Sequence, residues 1–498
     1  MWSQTLIHEC EPGFIYQWHE LVLTEQIEWM TVSLEHSGSP WPYVFLWDAQ
    51  GALRLQCLSS QSGTTMVITT ATTVESGCGC SPGCVSGPLP TGVWHVLFIA
   101  HPTPHRVRYS IVAQGDIGLP ARQTSVESRE VGWAIAPQEA GTEFRYNMYD
   151  RDRVVQSGER WYRGDLHMHT LLSDGKLTAR ELSNIAQQRG LDFIAITEHN
   201  ILTTAWVQTP LLVMPGVEYT STRGHWNAIG LRESIPLAED AGPILETQEG
   251  MNRLIGAARM QGALCSLNHP CLKPWDWTWE DTPLQLFHTI EIVNDPTFPG
   301  NREATEQAIR MLDGLWACGH KVWGIGGSDT HMLPTESYTE GGPPSIVGDP
   351  TTCVWALQLS AESILSAVRS GHSYVTRGPE LDPKILTEND AVHRPGDSIR
   401  ALRATDSVAI ELLYSLQIKH APSSGRILWV ENGNVVETTE LSGEGVYMFR
   451  RTWPISEYHW LRVEVRDAAG WLAAFVNPVY VDGTKETDVP IAIEAVRA

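Results

Sequence analysis

Apolar residues change their period twice along this chain, and that restricts its fold more than any other feature. Near the N-terminus, Met30, Val32 and Leu34 alternate with Thr31, Ser33 and Glu35, and Val107, Tyr109 and Ile111 with Arg106, Arg108 and Ser110. Successive side chains of a strand point to opposite faces, so a period of two predicts half-buried strands. Turn signals such as Ser37-Gly-Ser-Pro40 and Pro90-Thr-Gly92 separate these runs. Residues 1–158 are expected to form a β-sandwich. The same period returns from about Pro383, in Val408, Ile410 and Leu412, then in Leu461, Val463 and Val465 against Arg462, Glu464 and Arg466, with Asp467-Ala-Ala-Gly470 as a turn. Residues 383–498 are expected to form a second β-sandwich.

Between them, residues 159–382 alternate helix and strand signals, the pattern of an α/β layer or barrel. Thr178-Ala-Arg-Glu181 is a capping box, Leu182, Ile185 and Ala186 form a helical stripe, and Gly190 can close the helix in a left-handed conformation. Buried strands are predicted at Phe193 to Ile196, Leu211 to Met214, Ala263 to Leu267, Ile290 to Val293 and Val322 to Ile325, and a long helix from Arg302 to Cys318.

At 498 residues the chain suits about three domains. A formal charge of −23 and a pI near 5.2 argue against nucleic acid or an anionic membrane as partner, since both would be repelled. The expected partner is a small-molecule ester. Met1 to Gly13 has no basic n-region and no apolar h-region, no stretch is apolar enough to span a bilayer, and nine cysteines suit reduced thiols; the expected location is the cytoplasm. Cys78, Cys80 and Cys84 read as a turn-rich loop, with a soft-metal site as the alternative, because no fourth ligand stands at a finger-like spacing. Trp2, Trp18, Trp29, Trp41, Trp47 and Trp94 read as strand core, with a carbohydrate-binding face as the alternative.

The central segment carries the chemistry. Asp165-Leu-His-Met-His169 is followed by Asp174-Gly175, Thr197-Glu-His199, Pro215-Gly-Val-Glu218, Gly224-His225, Asn268-His269-Pro270 and Ser328-Asp-Thr-His331, each near the close of a predicted strand. In a parallel barrel the loops after the strands meet at one face. His167 and His169 are two apart, as are Asp329 and His331, so on extended backbone each pair points to one side and can clamp a cation. Unpaired carboxylates are rarely gathered without a cation. Mixed imidazole and carboxylate donors suit manganese, iron or zinc.

These motifs, in type, order and approximate spacing over residues 161 to 380, resemble those of the polymerase and histidinol phosphatase (PHP) superfamily. Leu315 to Gly327, Asp349-Pro-Thr-Thr352 and Ala361 to Pro379 are similar to the branch that includes carbaryl hydrolases. The resemblance implies a distorted seven-stranded (β/α) barrel holding two or three divalent ions: one at His167, His169, Glu218 and Asp329, a second sharing Glu218 with His225 and His269, and a third at Asp174, His199 and His331. Glu198 stands where many relatives have Asp. Glu218, Asp329, His331 and Arg223 are expected to act in catalysis. A carboxylate bridging two ions lets them share a water that ionises near neutral pH. The expected activity is phosphoester hydrolysis, with diesters favoured; the alternative is a carbamate or carboxylic ester. Arg223 and Lys273 are candidates for a phosphate oxygen, and Trp275-Asp-Trp-Thr-Trp279 for an apolar wall or an interdomain plug. Cys265 and Cys271, flanking His269, are expected to pack in the core.

Overall fold

In the computed structural model of the chain, the described residues are 1–37, 41–59, 63–70, 80–118, 130–134, 143–237, 244–387, 391–399 and 409–481. Cys78, Val408 and the Gly38-Ser-Pro40 part of the first turn signal lie outside them.

Two four-stranded antiparallel sheets make the N-terminal part. One runs Trp2–Cys10, Val107–Asp116, Trp29–Ser37, Thr64–Thr69; the other runs Gly13–Leu23, Gly92–Thr103, Tyr43–Trp47, Leu53–Leu58. Met30, Val32, Leu34, Tyr109 and Ile111 face Trp94, Val96 and Phe98 between the sheets, as the alternation requires. The second sheet is covered on both sides. Its outer Tyr43, Phe45, Leu97 and Ile99 join the core of the central segment, each contributing roughly 1.5–3 kcal/mol by leaving water. A period of two shows that a face is buried, but continuous apolar strands such as Tyr43–Trp47 are needed where both are. Trp94 lies in the sandwich core, whereas Trp18 is exposed. Cys84 is buried in that core with Cys80 packed against it.

The central segment is mixed and rich in sheet, with few helices. Strand Gln156–Asp165 pairs in parallel with Phe193–Ile196, and that strand with Leu212–Ser221. Leu264–Leu267, Thr289–Asn294 and Trp323–Gly327 form a second parallel run. Gly224–Ile229 joins the two runs and is antiparallel to both neighbours, which breaks the expected strict strand-helix alternation. Only Thr222 and Arg223 link it to Leu212–Ser221, and a parallel crossover needs a dozen or more residues. The hairpin is closed by Ser221 Oγ donating to the Gly224 carbonyl at 2.8 Å. Gly224 has φ +127°, and a Cβ there would stand 2.8 Å from Trp277, so glycine is required for the turn and for the close approach.

Beyond the row's first and last strands, Met168 bridges Thr330 in parallel, and Asp329 N–H donates to the His167 carbonyl at 2.9 Å. The loops carrying the His and Asp motifs are thereby held side by side. Helices Ala179–Gln188, Gln248–Met260 and Asn301–Ala317 flank this sheet. The first starts at the expected capping box, with Glu181 N–H donating to Thr178 Oγ1 at 3.2 Å and Thr178 N–H to Glu181 Oε2 at 2.9 Å. Among the described residues no helix is long and apolar enough to cross a membrane.

The C-terminal part shares a sheet with the central one. Gln156–Asp165 pairs with Thr351–Leu359, which continues through Ser373–Thr376, Leu472–Val481, His459–Asp467, Gly425–Glu431 and Asn434–Leu441. A second sheet, Val392–His393, Glu380–Thr387, Ala409–Lys419 and Gly445–Pro454, closes a core around Leu416, Trp429, Trp453 and Val463. The alternation of Leu461, Val463 and Val465 with Arg462, Glu464 and Arg466 is present, but the charged side does not face water. Arg462 donates twice to Asp313, at 2.7 and 2.8 Å, and Arg466 twice to Glu306, at 2.6 and 2.9 Å, both on helix Asn301–Ala317.

Candidate metal centre

The closing ends of the central strands bring all nine predicted His, Asp and Glu residues together. They form three overlapping groups, and within each the potential donor atoms lie within 4.8 Å of one another: His167, His169, Glu218 and Asp329; Glu218, His225 and His269; His169, Asp174, His199 and His331. The structure thus adds His169 to the third expected set. Glu218 and His169 are the shared members.

The geometry is that of converging lone pairs. His167 Nε2 and His169 Nε2 are 3.2 Å apart, and Asp329 Oδ1 lies 3.2 and 3.0 Å from them. His199 Nε2 and His331 Nε2 are 3.4 Å apart, with Asp174 Oδ1 at 3.4 and 3.2 Å. His225 Nδ1 and His269 Nε2 approach Glu218 Oε1 at 3.2 and 3.5 Å. Glu218 Oε2 and Asp329 Oδ1 are buried without accepting a hydrogen bond, which ordinarily costs more for a charged group than the roughly 1–3 kcal/mol of a neutral one.

Burial disfavours the charged form of each imidazole, yet Asp329, Glu291 and Glu218 outweigh it at His167, and Asp174 and Glu218 at His199, so both are held well above the ordinary histidine range. His331 is likewise raised to about 9 by Asp174 against the effect of burial. Burial wins at His169 and His225, which are lowered to about 3 and about 4. A buried set of ring nitrogens and carboxylate oxygens that converge in three groups, with Glu218 Oε2 and Asp329 Oδ1 making no hydrogen bond, fits divalent cations of the manganese, iron or zinc type.

Several supporting residues were not evident from the motifs. Glu291, fully buried, lies 2.9 Å from His167 Nδ1 and accepts from His269 N–H at 3.2 Å, so it turns His167 Nε2 toward the centre. A Cβ at Gly327 would meet His167 Cβ at 2.4 Å, so this glycine makes room for that ring. Thr220 Oγ1 is 2.6 Å from His199 Nδ1, and Asn268 Nδ2 donates to Glu218 Oε1 at 2.9 Å. Glu198 accepts from Thr170 N–H and from the Ser173 hydroxyl, and burial pushes it up to about 7. Asp165, raised to about 6 by burial, accepts from Ser328 N–H and Gly348 N–H at 3.0 and 2.8 Å and ties their loops to the first strand. Among the described residues, seven non-glycine residues have positive φ, and they include Asn200, His269, Asp295 and Asp329, a concentration of backbone strain at or beside this site.

A cavity of about 260 Å³ opens onto the cluster. Asp174, His199, His225, His269, Asp329 and His331 line one part, and Trp41, Leu272, Trp275, Phe298, Met332 and Tyr338 the apolar part. No Lys or Arg is among these lining residues. Arg223, expected to contact substrate, instead lies over the Trp279 ring at 4.2 Å and donates to the Thr278 carbonyl at 2.5 Å. It stabilises the hairpin turn, where its guanidinium finds an aromatic face and a carbonyl within reach. Lys273 is exposed and outside the lining. The tryptophan run divides: Trp275 walls the cavity, whereas Trp277 and Trp279 are fully buried. Cys265 is buried in the same core, and Cys271 packs against it.

The sequence matches no protein-family model and no curated protein. Among solved structures it is similar to a two-domain protein from Bacteroides vulgatus described as containing a predicted PHP-like metal-dependent phosphoesterase, at 19% identity and a TM-score of 0.36, over 66% of this chain and 99% of that one. It is also similar to an amidohydrolase from Chromobacterium violaceum with bound sulfate, at 16% identity and a TM-score of 0.21, over 35% of this chain and 90% of that one.

Proposed function

We propose that this chain is a metal-dependent phosphoester hydrolase of the PHP type, with its distorted barrel formed by the seven strands around the cluster, and that it favours diesters. The observation that carries the proposal is the convergence of nine buried or half-buried donors in three groups joined through Glu218 and His169. Two divalent ions in such a site would lower the pKa of a shared water and neutralise non-bridging phosphate oxygens. The first ion would be held by His167, His169, Glu218 and Asp329, the second by Glu218, His225 and His269, and a third by Asp174, His199 and His331. Asp329 and His331 border the cavity and retain some exposure, which supports a part for them in catalysis beside the substrate.

The diester preference rests on charge. A monoester dianion would gain from Lys or Arg side chains, and among the described residues none lines the cavity, whereas a diester has one charge fewer and a second substituent for the apolar wall. The purified protein is expected to carry at least two divalent ions per chain. It should cleave bis-p-nitrophenyl phosphate with higher kcat/KM than p-nitrophenyl phosphate, and inorganic phosphate should inhibit. Less than one ion per chain with no activity on adding manganese or zinc would refute the metal centre. Turnover of naphthyl carbamate above every phosphate ester would move the assignment to the ester alternative.

A further inference from the structure

We infer that Trp41, a residue of the N-terminal sandwich, is a specificity-determining residue of this site and selects substrates carrying one planar apolar substituent. The inference rests on the hydrolase proposed above and adds which part of the chain reads the substrate. Trp41 lies across the interface from the metal cluster in sequence terms, yet its ring stacks on His199 at 5.4 Å between centroids and 19° between planes, and it lines the cavity. Its backbone is left-handed, with φ +58°, a conformation a bulky residue holds only where its surroundings demand it.

Those surroundings fix the sandwich to the loop that carries His199. Asn200 Nδ2 donates to Tyr43 Oη at 3.1 Å, and Leu202 N–H donates to Gln56 Oε1 at 2.9 Å. The tryptophan and the imidazole are therefore positioned by one set of contacts. Trp41 keeps part of its surface free, and it is among the residues that line the cavity. The remaining apolar wall is a chain of aromatic rings: Trp275 meets Phe298 edge to face at 5.2 Å, and Phe298 meets Tyr338 at 5.0 Å. A cavity of about 150 Å³ can hold a benzene ring, so the 260 Å³ here has room for a reacting group and one ring.

The test measures binding of phenylphosphonate and methylphosphonate to the metal-loaded full chain by titration calorimetry, in the wild type, Trp41→Ala and Trp41→Phe, with metal content determined for each. The wild type should bind the phenyl compound about tenfold more tightly than the methyl one, the size of an aromatic stacking gain. Trp41→Ala should bring the two within about twofold while methylphosphonate affinity and metal content hold, and Trp41→Phe should keep most of the preference. An unchanged preference in Trp41→Ala, equal weakening of both ligands, or loss of metal would overturn the inference and leave Trp41 a structural prop. Failure of the wild type to bind either phosphonate would count against the phosphoester reading; the same variants are then compared on naphthyl and methyl carbamates. There, loss of the aryl preference in Trp41→Ala sustains the role of Trp41, and its persistence or inactivity on both carbamates overturns it.

Discussion

Five imidazoles, those of His167, His169, His199, His225 and His269, lie within 3.5 Å of the Glu218 carboxylate, whereas among the described residues two imidazoles, those of His199 and His331, meet Asp174. Glu218→Gln should therefore cost more than Asp174→Asn. We expect turnover to fall at least about 100-fold in the first and about tenfold or less in the second, as a bridging donor serves two ions and a terminal one a single ion. Steady-state kinetics with elemental analysis checks this, and equal turnover would count against a shared Glu218. Glu291→Gln tests the orienting contact to His167. It should lower metal affinity about 10–100-fold, the usual effect of removing such a partner, with little change in melting temperature when both proteins are compared after chelation. The motifs made the gathering of these nine side chains legible because they fall near the close of apolar runs, and five of them, Asp174, His199, His225, His269 and Asp329, stand beside Gly, Pro, Ser or Asn. Glu291 left one signal, a lone acid between Ile290 and Ile292, but nothing in its neighbours says what it faces. Arg223 was misread for the opposite reason, since closeness in sequence to Glu218 and His225 does not set the direction of a long side chain.

At the scale of elements, hydrophobic period located strands well and their covering layers poorly. Phe193–Ile196 matches its predicted bounds, and helix Asn301–Ala317 is shifted by one residue at each end from its predicted span. The antiparallel Gly224–Ile229 strand was missed because its residues are buried throughout and show no alternation. The charged face of His459–Asp467 was visible, but its burial against helix Asn301–Ala317 was not, since alternation reports polarity and not the neighbour. That interface gives a stability prediction. Arg462 is 3% exposed and bonded to both Asp313 and Glu464, so Arg462→Met leaves two carboxylates without their shared cation. Removing one member of such a set typically costs about 3–5 kcal/mol, while replacing all members by apolar residues can be nearly neutral. Guanidinium unfolding should show the loss in Arg462→Met and substantial recovery when Asp313→Leu and Glu464→Leu are added. A loss below about 1 kcal/mol, the range of surface pairs, would show that the network is hydrated.

Across the whole molecule, the three segments seen as separate periods are joined more tightly than their sequences suggest. One sheet runs from the central strands into the C-terminal part, and the N-terminal sheet buries its outer face in the central core. Each joint uses residues that read locally as ordinary strand, which is why the unions were not legible in the sequence. The N-terminal joint also touches the metal cluster, through Trp41 on His199 and Tyr43 on Asn200. Ions that bind only the folded site should therefore stabilise the sandwich as well as the segment that holds them. At a free-ion concentration about 100 times the dissociation constant, the gain is about 2.7 kcal/mol, enough to move a melting temperature by several degrees. Scanning calorimetry of metal-loaded and chelator-treated protein should show the N-terminal and central segments melting together, with the shared transition shifted down on chelation. Local fluorescence from a probe in strand Trp29–Ser37, far in sequence from every donor, should report the same shift. A sandwich that melts separately, at a temperature unaffected by chelation, would show that these contacts do not couple it to the site.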